Sequence, residues 1–291
     1  MTNASKKFDS FDRENVKYRD NWLGKESIQD DMISYERVCM LQETLDIEGL
    51  SINKNSPLPY GWHWIFFHQI CKTSELCIEG HPKIGLISPP HNYPRRMWAG
   101  SRLKFYQPLV IGDKVRRRST VKKISFKNGR ASLLAFVTIE HEIQGEGGGH
   151  WLEEQDIVYI NSNSGSSSYS SHPLPKDSQW KKTIYPSSFL LFRYSALTFN
   201  SHQIHYNHRY CNQELGFPSP VVHGPLVATF LLDMLRENLP GINVTDFSFR
   251  AIRPLFDTHP FTIHGKKIGS EIDLWAKSVD GELAMTATAS I

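Results

Sequence analysis

The chain has 291 residues, of which 40% are hydrophobic and 22% charged, and its formal net charge is +3. This composition is typical of a globular protein with a substantial core, and the length suits two ordinary domains or one large one. The weak positive charge argues against a nucleic-acid-binding surface, which needs clustered basic residues. The four cysteines have no CxxC spacing, and the sequence shows neither a signal-peptide core nor a run of about 18 apolar residues. We therefore expect a cytoplasmic protein with no membrane or nucleic-acid partner.

The first half is predicted to contain one helix and an antiparallel meander. Apolar residues at nearly helical spacing predict an amphipathic helix over 28–45. The aromatic run at 61–67 is predicted to be buried, in a strand or in a helix, because periodicity does not distinguish them. Residues 72–94 are rich in proline, glycine and histidine and indicate a long loop, of a length that often serves function. Three strands joined by short turns are then predicted between Met97 and Ile160.

A serine-rich segment separates the two halves. Seven of the twelve residues at 161–172 are serine, and such a segment cannot bury a core. We therefore predict an N-terminal domain at 1–160, a linker at 161–183 and a C-terminal domain at 184–291.

The second half repeats the plan of the first. Short helical segments are predicted over 186–199 and 206–215, and a long, very apolar helix over 224–239. Pro225 suits the first turn of that helix. Three or four antiparallel strands follow, at 244–255, 259–266, 271–278 and 282–290. A helix followed by a meander in each half predicts an α+β protein with a duplicated domain.

Four histidines lie in one stretch of the second half: His202, His205, His208 and His223. An imidazole titrates near neutral pH, so His205 is a candidate general base. The alternative is a structural histidine that is hydrogen-bonded within the core. Zinc binding by His202 and His205 is less favoured, since neither an HExxH motif nor a cysteine partner accompanies them.

Two further positions point to chemistry in the same stretch. Asn200 either shapes a turn or orients a water or a carbonyl with its amide, which cannot itself act as a base. Gly224 follows His223 at the predicted start of the apolar helix. Free N–H groups and the helix dipole at such a start favour an anion or a developing negative charge.

The residues of this stretch resemble the sequence motifs of a known family. The string Thr198–His205 resembles the S-G-D-x-N-P-L-H signature of the MaoC-like hydratases, and Val221–Gly224 resembles the later element at the head of their helix. FRYSALTFN and VVHGPL are especially similar to the subgroup of mesaconyl-CoA hydratases and hydroxyacyl-thioester dehydratases type 2. The resemblance extends from about Trp22 to Ile291.

The resemblance implies a double hot-dog fold, in which two antiparallel sheets are each wrapped around a central helix. It implies that His205 is the catalytic histidine, that the Gly224 N–H receives the thioester carbonyl, and that His223 supports that turn. Asn200 stands where the family has an aspartate, and His202 replaces an asparagine. The N-terminal half would shape an acyl-CoA tunnel. Neither a metal nor a cofactor is implied, and a homodimer is one expectation for the assembly.

The function implied is that of an acyl-CoA hydratase which adds water to mesaconyl-CoA or itaconyl-CoA and gives citramalyl-CoA. His202 and one of three arginines (Arg95, Arg96 and Arg193) would bind the substrate, the arginine at its distal carboxylate. The alternative for each arginine is a solvated surface charge. A 3-hydroxyacyl-thioester dehydratase of fatty-acid synthesis, which needs a long apolar tunnel, is the second candidate. A non-catalytic acyl-CoA-binding protein is the alternative of another class, because Asn200 replaces the aspartate.

Overall fold

A computed structural model describes residues 14–83, 85–90, 93, 95–128, 133–161 and 177–291. The strands of the first half are β1 (Glu26–Met32), β2 (Arg95–Gln107), β3 (Lys114–Asn128), β4 (Leu133–Gly145) and β5 (His150–Ile160). Those of the second half are β6 (Trp180–Ile184), β7 (Asp246–Ala251), β8 (Phe261–Ile268), β9 (Glu271–Lys277) and β10 (Leu283–Ser290). The helices are α1 (14–22), α2 (Tyr35–Thr44), α3 (Ser188–Leu197), α4 (His208–Gln213) and α5 (Gly224–Asn238).

All ten strands form one antiparallel sheet, in the order β1-β3-β4-β5-β2-β7-β10-β9-β8-β6. Each half therefore has the same internal order: its first strand, then its third, fourth, fifth and second. The two halves meet edge to edge where β2 pairs with β7, so the two predicted sheets are hydrogen-bonded into one. At this seam a Cβ on Gly100 would lie 2.2 Å from the Phe249 carbonyl oxygen, which only a glycine avoids.

Helix α5 occupies the core, as the sequence predicts. Every residue from Leu226 to Leu235 is buried, and the helix contacts β2, β8, β9 and β10. Its residues are apolar around most of the circumference, so burial on all sides stabilises it more than contact along one stripe would. Pro225 occupies the first turn, where its missing N–H costs no helical hydrogen bond.

The prediction of a helix over 28–45 is wrong in its first third. Residues Glu26–Met32 form β1 and pair antiparallel with β3, and the helix begins only at Tyr35. The burial of β1 alternates with a period of two, which is the pattern of an edge strand with one covered face. Ser34 follows the end of β1 by two residues and caps α2 by accepting a hydrogen bond from the Arg37 N–H.

The aromatic run and the long loop complete the first half. Trp62–Ile65 is a buried 3₁₀ turn that follows Gly61, whose φ is +82°. Between Thr73 and Arg95 the described residues contain one further 3₁₀ turn, Thr73–Glu75, so the loop prediction is confirmed there. Most of the serine-rich segment lies outside the described residues, and the domain boundaries stay a prediction. No helix among the described residues is both long and apolar enough to cross a bilayer.

Candidate active site

The N-terminus of α5 presents an unused backbone donor. His223 is the N-cap residue, but its side chain makes no capping hydrogen bond. The Gly224 N–H has no hydrogen-bond acceptor among the described residues. A Cβ built on Gly224 would meet no atom within 4 Å, so the space in front of this backbone is open. A free N–H at the positive end of a helix dipole can accept an anion or a polarised carbonyl oxygen.

His205 is held in one tautomer beside this helix start. It ends the 3₁₀ turn Gln203–His205, and its Nδ1 lies 2.8 Å from the Val221 carbonyl oxygen. A carbonyl oxygen only accepts, so Nδ1 carries the proton and Nε2 keeps a lone pair. The Val221 N–H donates in turn to the Ile204 carbonyl at 2.9 Å, which fixes the acceptor. This tautomer is the one that a general base at Nε2 requires.

The His223 ring connects His205 to the helix start. The two imidazoles stack with centroids 3.6 Å apart and planes 18° from parallel. The Nε2 of His223 lies 2.8 Å from Ser195 Oγ on α3, and only 2% of His223 is exposed. Because Gly224 follows His223 in the chain, one rigid contact places the base and the backbone donor side by side.

Burial keeps both stacked rings neutral near neutral pH. Desolvation lowers the pKa of His205 to about 4, although the bond to the Val221 carbonyl works in the opposite direction. Desolvation, and then the charges of His205 and His202, hold the pKa of His223 well below its usual value. His205 is therefore available as a proton acceptor over the whole physiological pH range.

A strained turn precedes the histidines. Phe199 has a φ of +50°, which is uncommon for a residue with a side chain. The turn lets the Asn200 N–H donate to the Ser195 carbonyl at 2.8 Å, while Asn200 Oδ1 accepts from the His202 N–H at 3.0 Å. The Asn200 oxygen therefore shapes the backbone, and its amide NH₂ makes no hydrogen bond to the described part of the chain. That NH₂ is the group free to orient a water.

A loop of the first half, 77–83, lies directly on this turn. Ser201 Oγ donates to the Gly80 carbonyl at 2.6 Å, and the Gln203 N–H donates to the Glu79 carbonyl at 2.8 Å. The contact is close enough that a Cβ on Gly80 would lie 1.9 Å from the Ser201 carbonyl oxygen. Gly80 also has a φ of +101°, so two independent reasons require glycine there.

This loop adds a histidine that the sequence analysis did not assign. The His81 ring lies 4.1 Å from the His202 ring, which lies 5.6 Å from the His205 ring. Burial, followed by the charges of Arg96 and His205, lowers the pKa of His81 to about 3. The pKa of His202 is lowered by burial and then by His81, His205 and Arg96. The only sequence signal for His81 was its place in a long loop, since its partner is more than a hundred residues away.

The three predicted arginines have different surroundings. Arg96 on β2 is close enough to act electrostatically on both His81 and His202. The Arg95 guanidinium lies 5.9 Å from the Phe217 ring centroid. Arg193 is exposed on α3, next to the buried Tyr194.

A second buried polar cluster lies in the first half. Its centre is Glu153, of which 4% is exposed. The Glu153 carboxylate lies 3.2 Å from His63 Nε2. It also accepts hydrogen bonds from Ser101 Oγ at 2.6 Å and from the Trp64 indole N–H at 3.2 Å. Burial alone would raise its pKa, but the hydrogen bond and charge of His63, then His141 and Ser101, lower it to about 2.

Among the described residues, no three histidine, cysteine or acidic side chains are placed to hold a metal ion.

Comparisons with known proteins assign the family. A family model described as hydroxyacyl-thioester dehydratase type 2 matches residues 61–257. The chain is also 39% identical over 271 residues to the mesaconyl-C(4)-CoA hydratase of Chloroflexus aurantiacus, covering 93% of this chain and 96% of that relative. The chain belongs to the hydroxyacyl-thioester dehydratase type 2 family. The predicted reaction class, that of a hydro-lyase, is confirmed by this membership.

Solved structures confirm the predicted fold. A MaoC-like dehydratase from Phytophthora capsici superposes with a TM-score of 0.69 at 12% identity, covering 94% of this chain and 98% of that chain. A Mycobacterium tuberculosis protein described as a double hot-dog fold superposes with a TM-score of 0.55 at 11% identity, covering 94% and 98%. At these identities the likeness concerns the fold alone. The double hot-dog prediction is therefore confirmed, with the two sheets joined at the β2–β7 seam.

Proposed function

We propose that the protein hydrates mesaconyl-CoA thioesterified at C4 and gives citramalyl-CoA. The proposal rests on one geometric observation, a base with a fixed tautomer beside an unused backbone donor. His205 Nε2 is the base and the Gly224 N–H is the donor, and the His223 ring joins them. The choice of acyl group is supported by the 39% identity to a relative of that name over nearly the whole chain.

The reaction follows from these groups. Water held by the Asn200 amide gives a proton to His205 Nε2 as its oxygen attacks the β carbon of the acyl group. The electron pair of the double bond moves toward the thioester oxygen, where the Gly224 N–H stabilises the enolate charge. The proton on Nε2 then passes to the α carbon, so both parts of the water are added. A single imidazole serves in both steps, and no carboxylate is required at position 200.

A panel of CoA thioesters tests this function. Purified protein is incubated with mesaconyl-C4-CoA, itaconyl-CoA, crotonyl-CoA and a long-chain 2-enoyl-CoA, and products are separated by chromatography and mass. We expect the highest kcat/KM for mesaconyl-C4-CoA. A higher value for the long-chain thioester would instead favour a dehydratase of fatty-acid synthesis, and binding without turnover of any thioester would favour a non-catalytic acyl-CoA-binding protein.

A further inference from the structure

Three basic side chains from both halves of the chain converge beside the base. The His202 ring centroid lies 5.6 Å from that of His205 and 4.1 Å from that of His81. Arg96 is close enough to act electrostatically on both of these rings. The first half supplies His81 and Arg96, whereas the second half supplies His202.

Their hydrogen-bonding capacity is unused. The Arg96 side chain makes no hydrogen bond or ion pair with any residue that the structure describes, although its charge also acts on Tyr159, its neighbour on β5. His81 Nδ1 is buried and has no hydrogen-bond partner, since the nearest carboxylate oxygen, Glu79 Oε1, is 3.9 Å away. Buried polar groups without partners are costly, because they have lost water without gaining another acceptor. An unpaired His81 nitrogen beside an arginine side chain without an ion-pair partner is suited to an acceptor that arrives with the substrate.

The proposed substrate carries a suitable acceptor at the required place. In the C4 thioester of mesaconic acid, the free carboxylate is attached to the carbon that water attacks. Water bound to His205 and this carboxylate must therefore be neighbours. We propose that Arg96, His81 and His202 form a subsite for the free carboxylate of a dicarboxylyl acyl group. This subsite rests on the proposed function and specifies how the substrate is recognised.

The subsite also explains how a poorly solvated imidazole can act as the base. When His205 takes a proton, it becomes a cation in a poorly solvated site, which burial disfavours. A substrate carboxylate bound beside it supplies an opposite charge and so stabilises the imidazolium. An acyl group with a methyl in place of the carboxylate would lack this stabilisation as well as the direct contacts. Recognition and catalysis would thus depend on the same substrate group.

Two saturated thioesters isolate the recognition step from turnover. Methylsuccinyl-CoA with its thioester at C4 and isovaleryl-CoA differ only in a carboxylate replaced by a methyl, and neither can be hydrated. Their Kd values are measured by calorimetry for the wild type, Arg96→Gln, His81→Gln and the control Arg116→Gln. Arg116 is an exposed arginine of β3 that pairs with Asp30. Thermal unfolding by circular dichroism verifies that each variant is folded.

We expect the wild type to bind the methylsuccinyl thioester about 10- to 100-fold more tightly than isovaleryl-CoA, the range for hydrogen bonds to a charged group. Arg96→Gln should remove most of this preference and His81→Gln part of it, by weakening only the dicarboxylyl ligand. Arg116→Gln should retain the preference.

Other results would overturn the subsite. Equal binding of the two ligands by the wild type would do so, as would equal weakening of both ligands in Arg96→Gln. Turnover of mesaconyl-C4-CoA is measured in the same preparations. Turnover without the binding preference refutes the subsite and leaves the proposed function, whereas the preference without turnover refutes the proposed function and leaves the subsite.

Discussion

The two halves share one strand order but differ at the start of their helices. In α2, the Ser34 side chain caps the helix by accepting from the Arg37 N–H. In α5, the N-cap residue His223 provides no such bond, and the Gly224 N–H has no acceptor among the described residues. A capped helix start has satisfied its own donors, while an uncapped one leaves them for a ligand. Of these two helices, α5 is therefore the one whose start leaves a donor for the substrate oxygen of the proposed reaction.

The halves also differ in how they satisfy buried polar groups. Glu153 of the first half is a buried carboxylate whose oxygens are both occupied by donors of that half. His205 and His223 of the second half make no hydrogen bond to a carboxylate in the described part of the chain, and desolvation lowers the pKa of both. The first arrangement stabilises a fold, and the second leaves groups free to exchange protons. Five variants or measurements test this contrast.

The largest effect is expected when His205 is replaced. His205→Gln should lower kcat for mesaconyl-C4-CoA by roughly 10²- to 10⁴-fold, the usual contribution of a general base, with little change in thermal stability. The control is His208→Gln, an exposed histidine three residues further along, which should keep wild-type activity. Undiminished turnover by His205→Gln would show that another group is the base.

The pH profile should carry the signature of a buried imidazole. The base form of His205 is neutral, and its pKa is about 4, so kcat/KM should fall only as pH decreases through about 4. Unfolded histidines take up protons near pH 6.5, so the fold itself loses stability below that value and must be followed by circular dichroism. An acidic limb near pH 6.5 in protein that is still folded would contradict the assignment.

Glu153→Gln should act on stability. Replacing one member of a buried hydrogen-bonded pair should lower the free energy of unfolding by roughly 3 kcal/mol at neutral pH. The native pKa is about 2 and the ordinary value is 4.5, so the stabilisation is present above pH 4.5 and is lost as pH falls toward 2. The difference between wild type and variant, measured by urea unfolding, should shrink over that interval. Glu154→Gln, at an exposed neighbouring pair with Arg102, should cost about 0.5 kcal/mol and serves as the control.

Gly80→Ala tests whether the first half positions the site. Its Cβ would collide with the Ser201 carbonyl, so the loop 77–83 must move away from the Asn200 turn. We expect kcat/KM to fall by about 10- to 100-fold, as for small displacements of positioning groups. Gly112→Ala is a matched control, because Gly112 also has a positive φ, of +98°, but has open space around its Cβ position. Equal activity of the two variants would show that the loop contributes nothing to catalysis.

The smallest effect is expected for Asn200→Asp, which restores the aspartate of the family signature. An aspartate oxygen can still accept from the His202 N–H, so the turn should be retained. The added negative charge near the histidines should raise the pKa of His205 and move the acidic limb upward, with kcat changed by less than about tenfold. A far larger gain in kcat would show that the single-imidazole mechanism is incomplete.

The sequence determined the elements whose information is local. The apolar circumference of 224–239, with Pro225 in its first turn, predicted α5 almost to its ends, and alternation with turn residues predicted the meanders. The histidine stretch and the Val221–Gly224 string located both parts of the proposed site, because each part is contiguous in the chain. The local pattern gave the wrong prediction at β1, where residues 28–32 of the predicted helix belong to a strand because β3 offers a hydrogen-bonding edge.

Tertiary structure alone decided what depends on distant partners. The β2–β7 seam joins two sheets that the sequence pattern predicts as separate. The alternation of apolar residues along a strand predicts the strand but does not indicate which other strand will pair with its edge. The Val221 carbonyl fixes the His205 tautomer across sixteen residues, and His81 reaches His202 across more than a hundred. The sequence pointed to His205 and to the helix start, whereas folding determined that the pKa of His205 is lowered and which of its nitrogens is free. These properties arise from desolvation and from contacts with distant residues, and both depend on the folded surroundings of a residue as well as on its identity.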